Sequence, residues 1–239
     1  MNELRSWLER NKVFFETIAA LALSIMATVV SVAGVSVAAR QNALIELQLQ
    51  AERLQLLPHL QLDVAYEMIE NENGQMYATT EKIIVTNYGG VARSIGSTAY
   101  VVMDVFLDGT KKSFPLGGYY WTTFHFDGAV GKLLEITRED NNKIWSDLER
   151  GYRELAKEEG HSGIIELRRV VRLRYQDVFG ETHVEYHLVE PLAGGSLIPQ
   201  SEGEEYAQEY WPAVNRLPLE LDSLTPELLI DLVSSPDPD

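Results

Sequence analysis

The N-terminal part of the chain contains one uninterrupted apolar run. No residue from Thr17 to Ala39 carries a charge. A helix over these positions, at ~1.5 Å per residue, is roughly 34 Å long and matches a bilayer hydrocarbon core of about 30 Å. The competing interpretation is a cleavable signal peptide, but the apolar core of such a peptide is usually ~7–15 residues. The pattern therefore predicts an N-terminal flank over 1–12 and an uncleaved transmembrane helix over 13–39.

Small residues lie on one side of this predicted helix. They recur at steps of three and four residues: Ser24, Ala27, Ser31, Gly34 and Ala38. Such a stripe lets a second helix approach closely in lipid, so a homo-oligomer is one interpretation; the other is that the stripe is accidental, since small residues are common in membrane helices. Three basic residues precede the apolar run and two follow it before residue 58, which favours a cytoplasmic N-terminus and a domain on the outside.

A helical connector is predicted over 40–57. It is rich in Gln, Leu, Ala and Glu, which are good helix formers. An apolar seam of four residues is compatible with a short coiled coil or with a helix that lies on the following domain: Leu44, Leu47, Ala51 and Leu54. Pro58 disfavours helical geometry in the residue before it, so the domain boundary is expected there.

From Pro58 onwards the apolar periodicity changes from helical to alternating. Five apolar residues occupy alternate positions of the first predicted strand, His59 to Ile69: Leu60, Leu62, Val64, Tyr66 and Met68. Such alternation indicates a strand with one buried face. Further strands are predicted over 82–86 and 97–107, with turn signals at Asn87–Gly90 and Asp108–Gly109.

Two hairpins can be tested for register. With Asp108–Gly109 at the tip of the first, Met103 faces Phe114 on an apolar side.

The second hairpin surrounds Asp177–Gly180. With Val178 and Phe179 at its tip, Leu173 faces Val184 and Arg172 faces Glu185. Apolar side chains then oppose each other and opposite charges oppose each other, which cross-strand pairing favours. We therefore predict this register.

Helical spacing returns twice after the first strands. One helix is expected near 139–159, with Gly160 as its C-terminal stop. A second, short helix is expected near 226–233 within an acidic tail, residues 192–239, because Thr225 and Pro226 form a helix start. Its apolar side chains favour docking on the domain over a free linear motif for a partner. The fold class predicted for 58–191 is mainly β, an immunoglobulin-like β-sandwich with an inserted helix.

Two segments carry a family resemblance. The run Ile83 to Ala92, followed by Tyr100 to Gly109, resembles the strand–Asn-x-Gly–strand pattern of bacterial immunoglobulin-like adhesion domains of the CARDB type, and the Tyr175–Gly180 hairpin is similar to such domains. The anchor, the Gln-rich helix and the Pro-led first strand resemble uncharacterised bacterial single-pass membrane proteins. The resemblance implies a β-sandwich and no catalytic residues, and the inserted helix departs from the adhesion module.

The charge balance limits the partner classes. The net charge is -16, and residues 192–239 hold ten acids against Arg216 alone. An acidic chain repels phosphate backbones, so no nucleic-acid binding is expected. The chain has no cysteine, which excludes disulfides and thiolate metal sites. We expect no cofactor.

An aromatic stretch over 119–126 holds the candidate ligand or partner surface. Tyr119, Trp121 and His125 are the side chains proposed for it. Such a strand stacks against sugars in some proteins, but aromatic residues on both faces of a strand more often form core and edge packing.

Two rows of polar residues are candidate binding sites. The row His183, Glu185, His187 has the spacing of metal ligands on a strand, but the predicted register gives Glu185 an arginine partner, so no metal site is expected. The row Arg168, Arg172, Arg174 has the chemistry of an anion clamp, although a salt-bridged sheet face fits it better.

The function expected from these observations is a membrane-anchored, non-enzymatic protein-interaction protein, acting as a scaffold, adaptor or accessory subunit. Its partners are the lipid bilayer, a protein and, through the small-residue stripe, a second copy of the chain. The alternative is a ligand- or carbohydrate-binding sensor that uses the aromatic stretch. A hydrolase with unidentified carboxylates ranks third, since the sequence contains no phosphate loop, nucleophile elbow or zincin motif.

Overall fold

The structure is a computed structural model that describes residues 6–7, 9–70, 72–126, 130–191, 194–210 and 218–235. It divides into two compact units, Met1–Gln55 and Leu56–Asp239. The coarse prediction of an apolar N-terminal helix followed by a β-rich domain is confirmed.

The first unit is dominated by a single helix, α1 (Lys12–Gln55). It continues without a break through the predicted boundary between the anchor and the connector. No side chain of α1 is buried within the protein, and its length and composition make it a candidate membrane span. The helix ends three residues before Pro58, as the geometry required before a proline favours.

The second unit contains two sheets and three α-helices among its described residues. The helices are α2 (Asn141–Glu158), α3 (Gln200–Tyr210) and α4 (Pro226–Ser234), and a 3₁₀ turn (Leu221–Ser223) precedes α4. The strands are β1 (Leu60–Glu70), β2 (Met76–Asn87), β3 (Arg93–Leu107), β4 (Thr110–Gly117), β5 (Thr122–His125), β6 (Gly131–Thr137), β7 (Gly163–Gln176), β8 (Thr182–Glu190), β9 (Gly194–Ile198) and β10 (Leu219–Glu220).

The small sheet has the strand order β1-β2-β6-β5, and the large sheet has the order β10-β4-β3-β7-β8-β9. One half of the inner face of the large sheet shares an apolar core with the small sheet, where Val171 and Leu173 of β7 meet Ile83 of β2. The other half is covered by α2 and α4, whose Tyr152 and Leu229 pack on β3 and β4. The small sheet and the helices therefore adjoin each other at the middle of β7.

The first strand follows the predicted alternation only in part. Leu60 and Leu62 face the core, but Met68 is half exposed. The last four residues of β1, 67–70, are exposed on both faces, and Ile69 is as exposed as Met68. The pairing of β1 with β2 also shifts register between Glu67 and Met68, as at a β-bulge. The prediction that Met68 shares the buried face is therefore wrong.

The two hairpins tested for register give opposite results. Met103 pairs with Phe114, as predicted, and the tip residues Asp108 and Gly109 both have positive φ. A two-residue tip of this kind leaves the register no freedom.

The register predicted for the β7–β8 hairpin is wrong by one residue. Leu173 pairs with Glu185 and Arg172 pairs with Tyr186. The cause lies in the turn, where the Asp177 carboxylate accepts hydrogen bonds from the backbone N–H groups of Phe179 and Glu181. This arrangement closes a five-residue loop, and a one-residue change of register moves Glu185 to the inner face.

The Asn87–Gly90 motif has a structural role beyond a turn. The Asn87 side-chain oxygen accepts hydrogen bonds from the backbone N–H groups of His59 and Gly89, and Gly90 N–H donates to the Leu57 carbonyl at 2.8 Å. A Cβ on Gly90 would lie 1.8 Å from the carbonyl oxygen of Leu56. The motif therefore holds the segment through which the chain enters the second unit.

The inserted helix α2 agrees with its predicted limits to within two residues, and Gly160 after it has φ +83°. Its first residues fasten it to the sheet. The Asn141 side chain accepts a hydrogen bond from Glu81 N–H at 2.7 Å and donates to the carbonyls of Glu81 and Tyr119, while Asn142 donates to Ala78.

The segment after Pro191, which was expected to be a tail, contributes elements to the second unit. Strand β9 pairs with β8, and helix α3 covers the outer face of the large sheet, where Tyr206 and Tyr210 pack on Tyr100. The predicted short helix is α4, which is capped by Thr225 and buries Leu229. Neither α3 nor β9 was predicted.

Candidate functional site

The aromatic stretch divides into a buried half and an exposed half. Tyr119 is 1% exposed, and its ring contacts Tyr120 edge to face at 4.9 Å. Tyr119 therefore belongs to the core, and its place in the predicted ligand surface is wrong. The strand itself, β5, begins only at Thr122. Trp121 and His125 lie on the exposed half, as the predicted surface requires.

The exposed half adds two residues that the sequence pattern did not single out, Phe124 and Phe126. Trp121 is 63% exposed and Phe124 is 51% exposed, and Phe126 just beyond β5 is also exposed. The alternation of Thr122, Phe124 and Phe126 along an extended segment is the signal that would have identified the two phenylalanines. Within the described residues β5 pairs only with β6, so β5 is an edge of the small sheet.

An exposed edge strand with aromatic side chains is chemically unusual. It presents unpaired backbone N–H and C=O groups, and native proteins normally protect such edges with charge, proline or a covering element. An extended peptide from another chain can add to an edge of this kind, with its side chains packed on neighbouring aromatic rings. The geometry of β5 therefore fits strand addition.

The hypothesis of carbohydrate binding depends on Trp121. One face of its indole ring stacks on the guanidinium of Arg138, at 3.9 Å from the Arg138 Cζ atom to the ring centroid. The guanidinium in turn donates to the Gly118 carbonyl and to Asp222, so its position is fixed. A sugar ring would stack on the opposite face of the indole.

A buried ionic group lies next to the aromatic stretch, which we call the inner cluster: Glu81, Arg169, Tyr66 and Tyr120. Glu81 is 1% exposed and accepts hydrogen bonds from Arg169, Tyr66 and Tyr120. Since Glu81 lies on β2 and Arg169 on β7, this ion pair joins the two sheets. It lies where the inner face of the large sheet stops packing on the small sheet and begins to pack on α2.

Burial and the charge of Glu81 together shift the pKa values of Tyr120 and Arg169. Burial, reinforced by the negative charge of Glu81, raises the pKa of Tyr120 well above its usual value. The Glu81 charge also raises the pKa of Arg169 against the opposing effect of burial. A carboxylate with three donors and almost no solvent contact is a structural ion pair rather than a general base that reaches substrate.

The histidine row does not converge on one point. The Glu185 carboxylate accepts from the Tyr175 hydroxyl at 2.5 Å and lies 3.2 Å from His187 Nε2, whereas His183 Nε2 lies 2.9 Å from Asp177. Burial opposes the ionisation of Glu185, but the hydrogen bonds from His187 and Tyr175 hold its pKa below the usual value. The arginine partner predicted for Glu185 is wrong, because the register differs by one residue.

One acidic group in the described residues has ligand atoms close enough for a metal ion. Carboxylate oxygens of Asp177 and Glu181 and a ring nitrogen of His183 all lie within 4.8 Å of one another. The Asp177 carboxylate is already occupied by two backbone N–H groups and by His183. These contacts account for the group as the closure of the β7–β8 turn.

The arginine row divides into one member with ion pairs and two members without them. Arg168 forms what we call the outer bridge, with bidentate hydrogen bonds to Asp104 on β3 and to Glu209 on α3. In the described part of the chain, neither Arg172 nor Arg174 forms an ion pair. The salt-bridged face predicted for this row therefore describes Arg168 alone.

The small-residue stripe stays a prediction. Ser24, Ala27, Ser31, Gly34 and Ala38 all lie on the exposed surface of α1. A Cβ placed on Gly34 would meet nothing within 4 Å, so this face of the helix is open to a neighbour.

Comparison with known proteins adds no relative to this description. The chain matches no family model, no curated protein and no solved structure. A functional argument therefore starts from the residues themselves.

Proposed function

We propose that this chain is a single-pass membrane protein without enzymatic activity, whose second unit binds a protein partner through the edge of β5. The anchor is α1, a helix of 44 residues with no buried side chain and a mean hydropathy of 2.3 in its most apolar window. A helix of that composition is stable with all faces in lipid, whereas in water it would expose a large apolar surface.

An immunoglobulin-like assignment of the second unit is part of this proposal. The order β1-β2-β6-β5 corresponds to strands A-B-E-D, and the consecutive strands β4-β3-β7-β8 correspond to C′-C-F-G. Helix α2 is then an insertion between E and F. This correspondence in strand order supports the immunoglobulin-like assignment alone, because one fold hosts many unrelated functions.

One observation carries the binding proposal: among the described residues, β5 is an edge strand that pairs only with β6, exposes Phe124 and is flanked by exposed Trp121 and Phe126. Solvent exposure of three large aromatic side chains around a four-residue edge strand is a cost that a partner would remove. Aromatic residues are enriched at the centres of protein interfaces, where they bury large areas with few rotatable bonds.

The orientation follows from the basic residues and belongs to the same proposal. Arg5, Arg10 and Lys12 precede the span, while Arg40 and Arg53 follow it. The excess at the N-terminus favours a cytoplasmic N-terminus and a second unit outside the cytoplasm. A reporter enzyme fused after Asp239 measures this directly, since a periplasmic or extracellular signal supports the assignment and a cytoplasmic signal reverses it.

Site-specific photocrosslinking in the native membrane tests the binding surface. A photoreactive amino acid replaces Phe124 in the full chain, and a matched control replaces Ile164, which is 48% exposed on β7. We expect a discrete protein adduct from position 124 and none from position 164. Equal adduct patterns at the two positions would contradict the assignment of β5 as the partner surface.

The alternative function, carbohydrate or ligand binding, rests on the open indole face of Trp121. A glycan array probed with the full chain in detergent, and with its Trp121→Ala variant, separates the two functions. Binding that is lost in Trp121→Ala, combined with no protein adduct at position 124, would favour the sensor. Absence of glycan binding, combined with the adduct, supports strand addition.

A further inference from the structure

The second unit has two ends with different surfaces. The strand registers place three loops at one end, because Asn87 pairs with Leu60 and Gly131, and Gln176 pairs with Arg93 and Thr182. We call this the near end. The opposite end, the far end, holds the β1–β2, β3–β4 and β8–β9 connections.

Each of the near-end loops exposes an apolar side chain. Four such residues, from the β2–β3, β5–β6 and β7–β8 loops, are between 41% and 66% exposed: Tyr88, Phe126, Val130 and Phe179. Of the described residues in these loops, Glu181 is the one exposed carboxylate. The described part of the near end is therefore a set of apolar tips with one exposed carboxylate, on a chain whose net charge is -16.

The chain also enters the second unit at the near end. Gly90 N–H donates to Leu57 and Tyr88 N–H donates to His59, so the loop that exposes Tyr88 holds the incoming segment. That segment follows directly after Gln55, the last residue of α1. The near end is consequently the end of the second unit that is covalently closest to the apolar helix.

Unpaired positive charge adjoins the same end. Arg93 and Arg174 lie in the last part of the β3–β7 pairing before the loops, and Arg172 lies one pair of residues further in. Among the described residues, none of the three forms an ion pair. Direct pairing of Arg93 with Gln176 and alternation along β7 place these arginines on the outer face of the large sheet, as neighbours.

Part of the acidic charge lies elsewhere, whereas Glu204 of α3 lies near Tyr186, the residue paired with Arg172. Exposed carboxylates occur in or beside every far-end connection: Glu70, Glu72, Asp108, Glu159 and Glu190. The two ends are separated by the 14 residues of β7, ~45 Å at about 3.3 Å per residue. Because charges are screened over ~8 Å at physiological ionic strength, the near-end arginines act without opposition from the far-end carboxylates.

We propose that the near end docks on the headgroup region of the bilayer that holds α1, with the loop tips inserted among the headgroups and Arg93 and Arg174 bound to anionic phospholipids. This inference rests on the membrane anchor of the proposed function, and Phe126 is the one residue that it shares with the β5 surface. Aromatic and arginine side chains are the ones that stabilise a protein at the membrane interface, because their apolar parts enter it and their polar ends stay hydrated. An acidic protein surface would also pair with the arginines. The lipid surface is favoured because the chain enters the second unit at the near end, directly after the membrane anchor.

Site-directed spin labelling of the full chain tests docking. The chain has no cysteine, so single substitutions give one label each. Phe179→Cys reports the near end, Tyr88→Cys repeats the measurement on another loop, and Glu72→Cys is the far-end control. Each labelled protein is placed in nanodiscs of phosphatidylcholine alone or mixed with phosphatidylglycerol. Access of the label to oxygen, which concentrates in lipid, is compared with access to a water-soluble nickel complex.

We expect the labels at positions 179 and 88 to be shielded from nickel in discs that contain phosphatidylglycerol, while the label at position 72 stays accessible in both. The Arg93→Gln/Arg174→Gln double variant, which changes exposed side chains, should weaken docking roughly 30-fold, since two basic contacts to an anionic surface are removed. Equal nickel access at 179, 88 and 72 in the mixed discs would overturn docking. Failure of the chain to enter discs at all would instead overturn the anchor.

Discussion

Arg168 and Arg169 are neighbours on β7, yet they serve different parts of the molecule. Arg169 points inward to Glu81 and has a side chain 5% exposed, whereas Arg168 points outward to Asp104 and Glu209 and is 25% exposed. The inner cluster joins two sheets and a helix in a dry environment. The outer bridge fastens a peripheral helix within reach of water. The inner cluster therefore stabilises the fold, whereas the outer bridge lies at the surface that partners can reach.

The largest effect is expected from breaking the inner cluster. Arg169→Ala leaves the Glu81 carboxylate buried without its counter-charge, and should reduce the free energy of unfolding by about 3–5 kcal/mol. Urea unfolding of the full chain in detergent measures it. The double variant Glu81→Leu/Arg169→Met, which removes both charges, should regain much of the loss. A double variant that is no more stable than Arg169→Ala would contradict the ion-pair account.

The two halves of the aromatic stretch extend the comparison. Tyr119→Ala removes a fully buried ring and should cost about 3–5 kcal/mol of unfolding free energy. Trp121→Ala removes an exposed ring that stacks on Arg138 and should change it by roughly 1 kcal/mol or less. Comparable losses for the two variants in the same urea titration would mean that the exposed half is also part of the core.

These contrasts show what the sequence could and could not predict. The Met103–Phe114 register was predictable because Asp108 and Gly109 fix a two-residue tip. The β7–β8 register was not, because the Asp177 side chain closes the turn through hydrogen bonds that polarity alone does not reveal. Matching charged and apolar side chains across the strands therefore predicted the wrong register for this hairpin.

The candidate site was predictable only in part for the same reason. Local pattern identified the aromatic stretch, but Tyr119 is buried in an apolar cluster with Tyr152 of α2 and Leu229 of α4, which lie far along the chain. Helix α3 was missed because its four glutamates dominate its composition, while its docking depends on Gly203 against Tyr186 and on the outer bridge.

A smaller effect is expected at the outer bridge. Arg168→Ala removes charge-assisted hydrogen bonds that are partly open to solvent, and should cost about 1.5–3 kcal/mol of unfolding free energy, less at high salt. Faster amide exchange in α3 than in β3 would show that the loss is local. Uniform acceleration of exchange in both elements would contradict a role restricted to holding α3.

The same bridge should respond to acid. Burial opposes the ionisation of Asp104, but hydrogen bonds from Arg168, Ser113 and Lys111 hold its pKa below the usual value of 3.8. A depressed carboxyl pKa contributes stability that is complete above the unfolded value and is lost as the pH falls through the lower, folded value. Unfolding titrations should therefore show an acid-labile contribution below pH ~4 that Asp104→Asn abolishes. An identical pH profile for Asp104→Asn would contradict this assignment.

The central claim is that the exposed half of the aromatic stretch is a partner surface, and cysteine accessibility tests it most directly. Phe124→Cys and the control Ile164→Cys are treated with a membrane-impermeant maleimide, on the side that carries the second unit, in native membranes and in partner-free nanodiscs. The account predicts that position 124 reacts in nanodiscs and is protected in native membranes, while position 164 reacts in both. Equal reaction at position 124 in the two preparations would contradict the account.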